Sequence, residues 1–169
     1  MKIREYKIDS DFESIKDWIT DERTHAMWCA NRTSFPLQRE NFNQLLADIL
    51  SKDGDYPFVT IDDNGIIEGF FCYSLNKDTN EGMLKFVMVD PVKRGIGLGK
   101  EMLRQAVRYS FDVTNADAVQ LMVFSENTRA KRCYESVGFT GRHTENDAFR
   151  YKEELWSRCN MVIKRSDSC

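Results

Sequence analysis

The sequence predicts a mixed α/β fold, an α+β sheet with helices packed on it. Three observations carry that expectation. Segments alternating apolar and polar residues are interleaved with segments whose apolar residues recur at helical spacing. No repeat, linker or low-complexity tract interrupts the 169 residues, so one compact domain over residues 1–169 is expected. With 41% hydrophobic and 30% charged residues, the chain can bury a core without disulfide staples.

Taken in order, Lys2 to Ile8 alternates as a first strand. Ser10-Asp11-Phe12-Glu13 reads as a capping box, with Phe12, Ile15 and Ile19 at helical spacing. Thr20-Asp21-Glu22 can cap a short helix reaching Cys29. Ser34-Phe35-Pro36 opens another, whose apolar face is Phe42, Leu45, Leu46, Ile49 and Leu50, with Gly54 just past its end. Tyr56 to Ile61 is a strand. Asp62-Asp63-Asn64-Gly65 turns it, because Asn and Gly tolerate positive φ, and Ile66 to Leu75 returns. Met83 to Val89 is a strand ended by Pro91, which cannot donate to a ladder. After a glycine-rich stretch, Leu98, Met102, Leu103, Ala106 and Val107 mark a helix to about Phe111. Ala118 to Phe124 is a strand. Glu126 to Val137 is a helix closed by Gly138 in the left-handed cap position, with Phe139 as its apolar contact. Gly141 to Asp147 and Trp156 to Lys164 complete the strands.

Composition excludes several classes. The opening Met1-Lys2-Ile3-Arg4-Glu5-Tyr6 lacks the apolar run of a signal peptide, and no stretch approaches membrane-spanning length, so a cytoplasmic protein is expected. Cys29, Cys72, Cys133, Cys159 and Cys169 are odd in number and lack a C-x-x-C pair, which favours reduced thiols over a disulfide framework or zinc site. His25 and His143 show no metal-ligand spacing, so no metal is expected. The net charge of −3 hides an asymmetry: residues 93–132 hold eight basic and four acidic groups. Such a segment marks either an anionic ligand or a solvated helix face.

Within it, Arg94-Gly95-Ile96-Gly97-Leu98-Gly99 joins a strand to a helix. Glycines allow a sharp turn and close backbone approach, and the free N–H groups of a helix start suit phosphate. Lys100, Arg104 and Arg108 add a basic stripe every four residues. A Walker A loop needs Ser or Thr after Gly-Lys, whereas Glu101 follows Lys100. A Rossmann loop needs G-x-G-x-x-G after an early strand, whereas the spacing here is G-x-G-x-G and late. The pattern R/Q-x-x-G-x-G/A fits Arg94, Gly97 and Gly99. A plain strand-to-helix turn is the bland alternative.

Val87-Met88-Val89-Asp90-Pro91 followed by Arg94-x-x-Gly97-x-Gly99, and then Asn127-x-x-Ala130-x-x-Cys133-Tyr134-Glu135-x-x-Gly138-Phe139, resemble the two signatures of the Gcn5-related N-acetyltransferase (GNAT) superfamily. The resemblance runs from about Met83 to Phe139. It implies the acyl-CoA N-acyltransferase fold: a mostly antiparallel central sheet with a splayed parallel strand pair and helices on both faces. It implies acetyl-CoA as co-substrate in that splay. The backbone of Val87, Met88 and Val89 would pair with the pantetheine arm and polarise the acetyl carbonyl. The amides of Arg94, Gly95, Ile96, Gly97, Leu98, Gly99 and Lys100 would hold the pyrophosphate, and Asn127 would contact the arm. Asn127, Ala130 and Tyr134 are also spaced to share one helix face, and Ala130 is small enough to let a ligand pass.

The implied activity is acetyl transfer to a primary amine of a small molecule or peptide. The amine must first lose a proton, and the departing thiolate needs a proton or hydrogen bond; the Tyr134 phenol can supply the latter. The base stays open. Met122 and Met83 stand where family members carry glutamates, leaving Glu81, two residues along the same strand face, or Glu68. Glu22, His25, Trp28, Phe35, Glu145, Asp147, Tyr151, Glu153 and Glu154 fall in segments that shape the acceptor site in this fold, and acidic and aromatic groups suit a cationic amine. A homodimer is compatible with this reading; no nucleic-acid or membrane partner is expected. A non-catalytic acyl-CoA-binding module is the competing class.

Overall fold

The protein is described by a computed structural model covering residues 1–167; Cys169 lies outside the described residues. Seven strands form one sheet in the order β1-β2-β3-β4-β5-β7-β6. They are β1 (Lys2–Glu5), β2 (Tyr56–Ile61), β3 (Ile67–Asn76), β4 (Glu81–Val89), β5 (Ala118–Phe124), β6 (Thr140–Tyr151) and β7 (Glu154–Lys164). Every neighbouring pair is antiparallel except β4 and β5, which are parallel. This is the expected mixed sheet with one parallel pair.

Helices cover both faces. Against one lie α1 (Phe12–Ile15), α2 (Glu22–Cys29) and α3 (Arg39–Asp53), burying Phe12, Ile15, Phe42 and Ile49 over Phe70, Phe86 and Met88. Against the other lie α4 (Leu98–Asp112) and α5 (Thr128–Glu135), burying Met102, Leu103, Val107 and Tyr134 over Phe71, Leu84, Val119 and Leu121.

The expected capping box does not form. Asp11 makes no cap bond to α1. Its carboxylate instead takes both guanidinium nitrogens of Arg4, at 2.6 and 3.0 Å, and the Lys7 N–H at 2.7 Å. A buried carboxylate beside a guanidinium is held by a charge-assisted pair more strongly than by one amide. The next cap forms as read: Asp21 accepts from the Thr24 N–H at 2.8 Å and starts α2.

A ring cluster ties α2 to the β6–β7 hairpin. Tyr151 stacks on Trp156 at 4.7 Å, and the Arg23 guanidinium lies 5.0 Å above the Trp156 ring while pairing with Glu154. Trp156 Nε1 also donates to Glu154. Arg23 and then Trp156 hold the Glu154 carboxyl down from 4.5 to about 2. A carboxyl depressed in the fold contributes stability above its unfolded pKa and loses it as pH falls toward the folded value. The thermal midpoint of Glu154→Gln should therefore fall less steeply than wild type between pH 4.5 and pH 2. An unchanged acid slope would remove this account.

Candidate active site

The site begins with a fault in β4. Its pairing with β5 runs from Glu81 opposite Ala118 to Leu84 opposite Leu121 and then stops. On its other side, Phe70 of β3 faces Met88 while Cys72 faces Lys85, so Phe86 and Val87 together oppose Phe71. This is a one-residue β-bulge, with Phe86 in the left-handed region at φ 53°. The extra residue inverts the side-chain alternation: Leu84 and Val87 pack under α4, and Phe86 and Met88 under α2. Beyond Leu84, β4 and β5 diverge around a cavity of about 760 Å³ that Val87, Met88 and Val89 line.

The glycine loop closes one end. Gly95 and Gly97 sit at φ 89° and 91°, where other residues are strained. Gly97 is the N-cap of α4. Among the described residues, no carbonyl accepts from the N–H groups of Leu98, Gly99 or Lys100, the first turn of α4, which leaves these donors free at a helix N-terminus. Arg94, Lys100, Arg129 and Arg132 line the same cavity, and no carboxylate does. Burial and then the Arg129 charge push the Arg94 guanidinium down, against the opposing pull of Asp90 and Asp21. The site is built for a polyanion.

α5 supplies the opposite wall. Asn127 is its N-cap rather than its first turn: Oδ1 accepts from the Ala130 N–H at 3.3 Å, and the side-chain NH₂ stays uncommitted. Asn127, Ala130, Cys133 and Tyr134 all line the cavity. The helix ends in a Schellman motif: Phe139 N–H donates to the Tyr134 carbonyl, Gly138 N–H donates to that of Glu135, and Gly138 has φ 112°. The Tyr134 and Phe139 rings meet edge-on at 6.2 Å, which locks the phenol in place. Its hydroxyl has no hydrogen-bond partner among the described residues, and burial pushes its pKa well above the usual phenol range.

A second chamber of about 200 Å³ adjoins the first through Met27, Trp28, Leu84, Lys85, Phe86, Met122 and Val123. Met83, Phe124, Arg32 and Arg158 complete its wall.

A model of the acetyltransferase (GNAT) family matches residues 12–139. The chain belongs to this family. It is 30% identical over 131 residues to a mycothiol acetyltransferase of Beutenbergia cavernae, covering 72% of this chain and 42% of that one. It is 33% identical over 107 residues to N-alpha-acetyltransferase 40 of Saccharomyces cerevisiae, covering 52% and 38%. The chain thus spans less than half the length of these curated relatives. A spermidine N-acetyltransferase of Vibrio cholerae, in complex with CoA and spermine, superposes with a TM-score of 0.81 at 19% identity over 99% of this chain and 96% of that one.

Against the GNAT frame, the structure sorts the expected residues. Those from the open strand, the loop and α5 line the cavity together, except Ile96, which points to solvent and does not line it. Of the basic stripe on α4 only Lys100 lines the cavity; Arg104 and Arg108 do not. Arg129 and Arg132 take their place, a contribution that only the fold makes visible. Glu81 is not brought to the site. Its carboxylate is held by Arg142 at 2.9 Å and Gln120 at 2.7 Å, at the paired end of β4. Six residues separate it from Val87, roughly 20 Å at strand rise. Glu68 is paired to Lys93 at 3.0 Å and also lies off the cavity wall. The expected acidic acceptor site is corrected in the same way: Glu22 pairs with Lys152, Glu145 with Arg158 and Glu154 with Arg23, and no carboxylate lines either chamber. Trp28 does line both chambers, over a buried His25 whose pKa burial lowers. Among the described residues no cluster of three or more His, Cys, Asp or Glu could hold a metal, the four cysteines are free, and no helix is long and apolar enough to cross a membrane.

Proposed function

We propose that this chain is an acetyl-CoA-dependent N-acetyltransferase that moves the acetyl group directly to a primary amine, and that residues 1–169 make up one such domain. The observation that carries this reading is the continuity of the cavity: it runs from free amides and cations, along an unpaired strand edge, past a lone phenol, into a second chamber. A CoA thioester has the matching sequence of groups. Its pyrophosphate suits the amides of residues 95–100 with Arg94, Lys100 and Arg129. Its amide-bearing arm suits the open backbone of Val87, Met88 and Val89 and the Asn127 NH₂. Bound there, it supplies the activated acyl group.

In the reaction a C–N bond forms, the C–S bond breaks, and the amine's proton ends on the thiol. Tyr134 is protonated at neutral pH, as an ordinary phenol is, and burial pushes its pKa further up. An alkyl thiol ionises near ~8.5, so full proton transfer from this phenol is uphill. The hydroxyl therefore serves as a hydrogen-bond donor to the forming thiolate. No carboxylate lines the cavity to take the amine's proton, and water fills that role.

Thiol release from acetyl-CoA, measured over a panel of amines with the acetylated product identified by mass, tests the reading. Turnover is expected, with kcat/KM rising with pH along the acceptor's own amine titration. Glu81→Gln should leave that profile in place. Tight acetyl-CoA binding without turnover on any amine would make the chain a binding module instead.

A further inference from the structure

The charged side chains on the wall of the second chamber are all cations. Its polar side chains are Arg32, Lys85, Arg158 and the indole of Trp28, whose Nε1 is buried without a partner. Its remaining wall is apolar. Lys85 and Arg158 line the chamber, while their partners Asp55 and Glu145, each at 2.7 Å, do not. Arg32 differs. Its guanidinium lies over the Phe86 ring at 5.5 Å and comes no closer than 4.0 Å to Asp53, with no side-chain hydrogen bond among the described residues. A half-exposed guanidinium resting over an aromatic ring, with its fork uncommitted, can take a carboxylate in bidentate fashion. An unpaired buried N–H beside it is costly until an acceptor atom arrives.

We propose that this chamber binds the carboxylate of the acceptor, with Arg32 as its principal contact and Trp28 Nε1 as a second donor, so that the substrate is a small amine carrying its own carboxylate. The inference rests on the acetyltransferase reading. A polyamine meets three cations on this wall, with their partner carboxylates lying off it, which disfavours it. An amino acid places a negative group on Arg32 and leaves its amine toward the open strand edge and Tyr134.

Matched pairs test this: L-leucine against L-leucinamide and L-phenylalanine against L-phenylalaninamide, with spermidine alongside. Turnover is followed with saturating acetyl-CoA, and equilibrium binding of the same compounds is measured on the protein saturated with CoA. The acid is expected to bind at least 10-fold more tightly than its amide. The amide's amine is the less basic, so the preference is also read as the change in acid-to-amide ratio on substitution, where basicity cancels. Arg32→Gln should lower that ratio at least 10-fold, and Arg32→Lys should restore part of it. Amides or spermidine bound as well as the acids, or a ratio untouched by Arg32→Gln, would overturn the proposal. If nothing turns over, the acetyltransferase reading fails, while the binding measurements still decide the carboxylate site.

Discussion

Replacing Tyr134 by phenylalanine is expected to lower kcat about 10²-fold, about 3 kcal/mol of barrier, with acetyl-CoA affinity nearly unchanged. The ring keeps its contact with Phe139, so the wall of the cavity survives. The hydroxyl leaves no protein group behind, since none among the described residues bonds to it. Losing a buried hydroxyl of this kind costs little stability. A drop in kcat with an unchanged melting temperature would assign the loss to chemistry. A parallel drop in both would assign it to packing, and wild-type turnover would sink the role.

Gly97→Val should weaken acetyl-CoA binding about 30-fold, through a different route. A Cβ at Gly97 meets nothing within 4 Å, so the problem is not space. It is the φ of 91°, which a β-branched residue adopts only under strain. The chain relieves that strain by re-routing, and the amides of residues 95–100 move with it. Losing about 2 kcal/mol of pyrophosphate contact raises the dissociation constant about 30-fold. Gly54→Val is the control. It too has positive φ, 67°, and open space, but it ends α3 away from the cavity. Its cost should appear in the melting temperature alone. Equal effects of the two variants on cofactor binding would mean that the amide cluster is not what holds the ligand.

Much of the fold was legible because local rules decide it. The limits of β5 were readable from a run bounded by turn residues, and the Gly138-Phe139 ending from its cap chemistry. The cofactor wall was readable for the same reason: glycine conformations and helix starts are short-range features. What failed was long-range. Ser10 and Glu13 looked like a capping box, but the Ser10 hydroxyl donates to Asp11 and Glu13 pairs with Lys16 and Arg39. Glu81 shared a strand with the site, but Arg142 came from β6, three strands along the sheet, to hold it, and the bulge at Phe86 lies between it and Val87. Nothing in the sequence around Arg32 marked it. Only the packing of Phe86 beneath it sets it apart. Ion pairs between distant segments leave no periodicity to read.

The bulge has one more consequence. An unpaired strand edge is ordinarily a hazard, because it templates pairing with other chains and seeds aggregation. Here the exposed donors and acceptors of β4 lie not at the rim of the sheet but in its middle, recessed between β5, α4 and α5. A second polypeptide strand with its side chains is too bulky to reach them, while a narrow unbranched arm can. The protein thus keeps a reactive sheet edge available to one slender visitor and closed to its own kind.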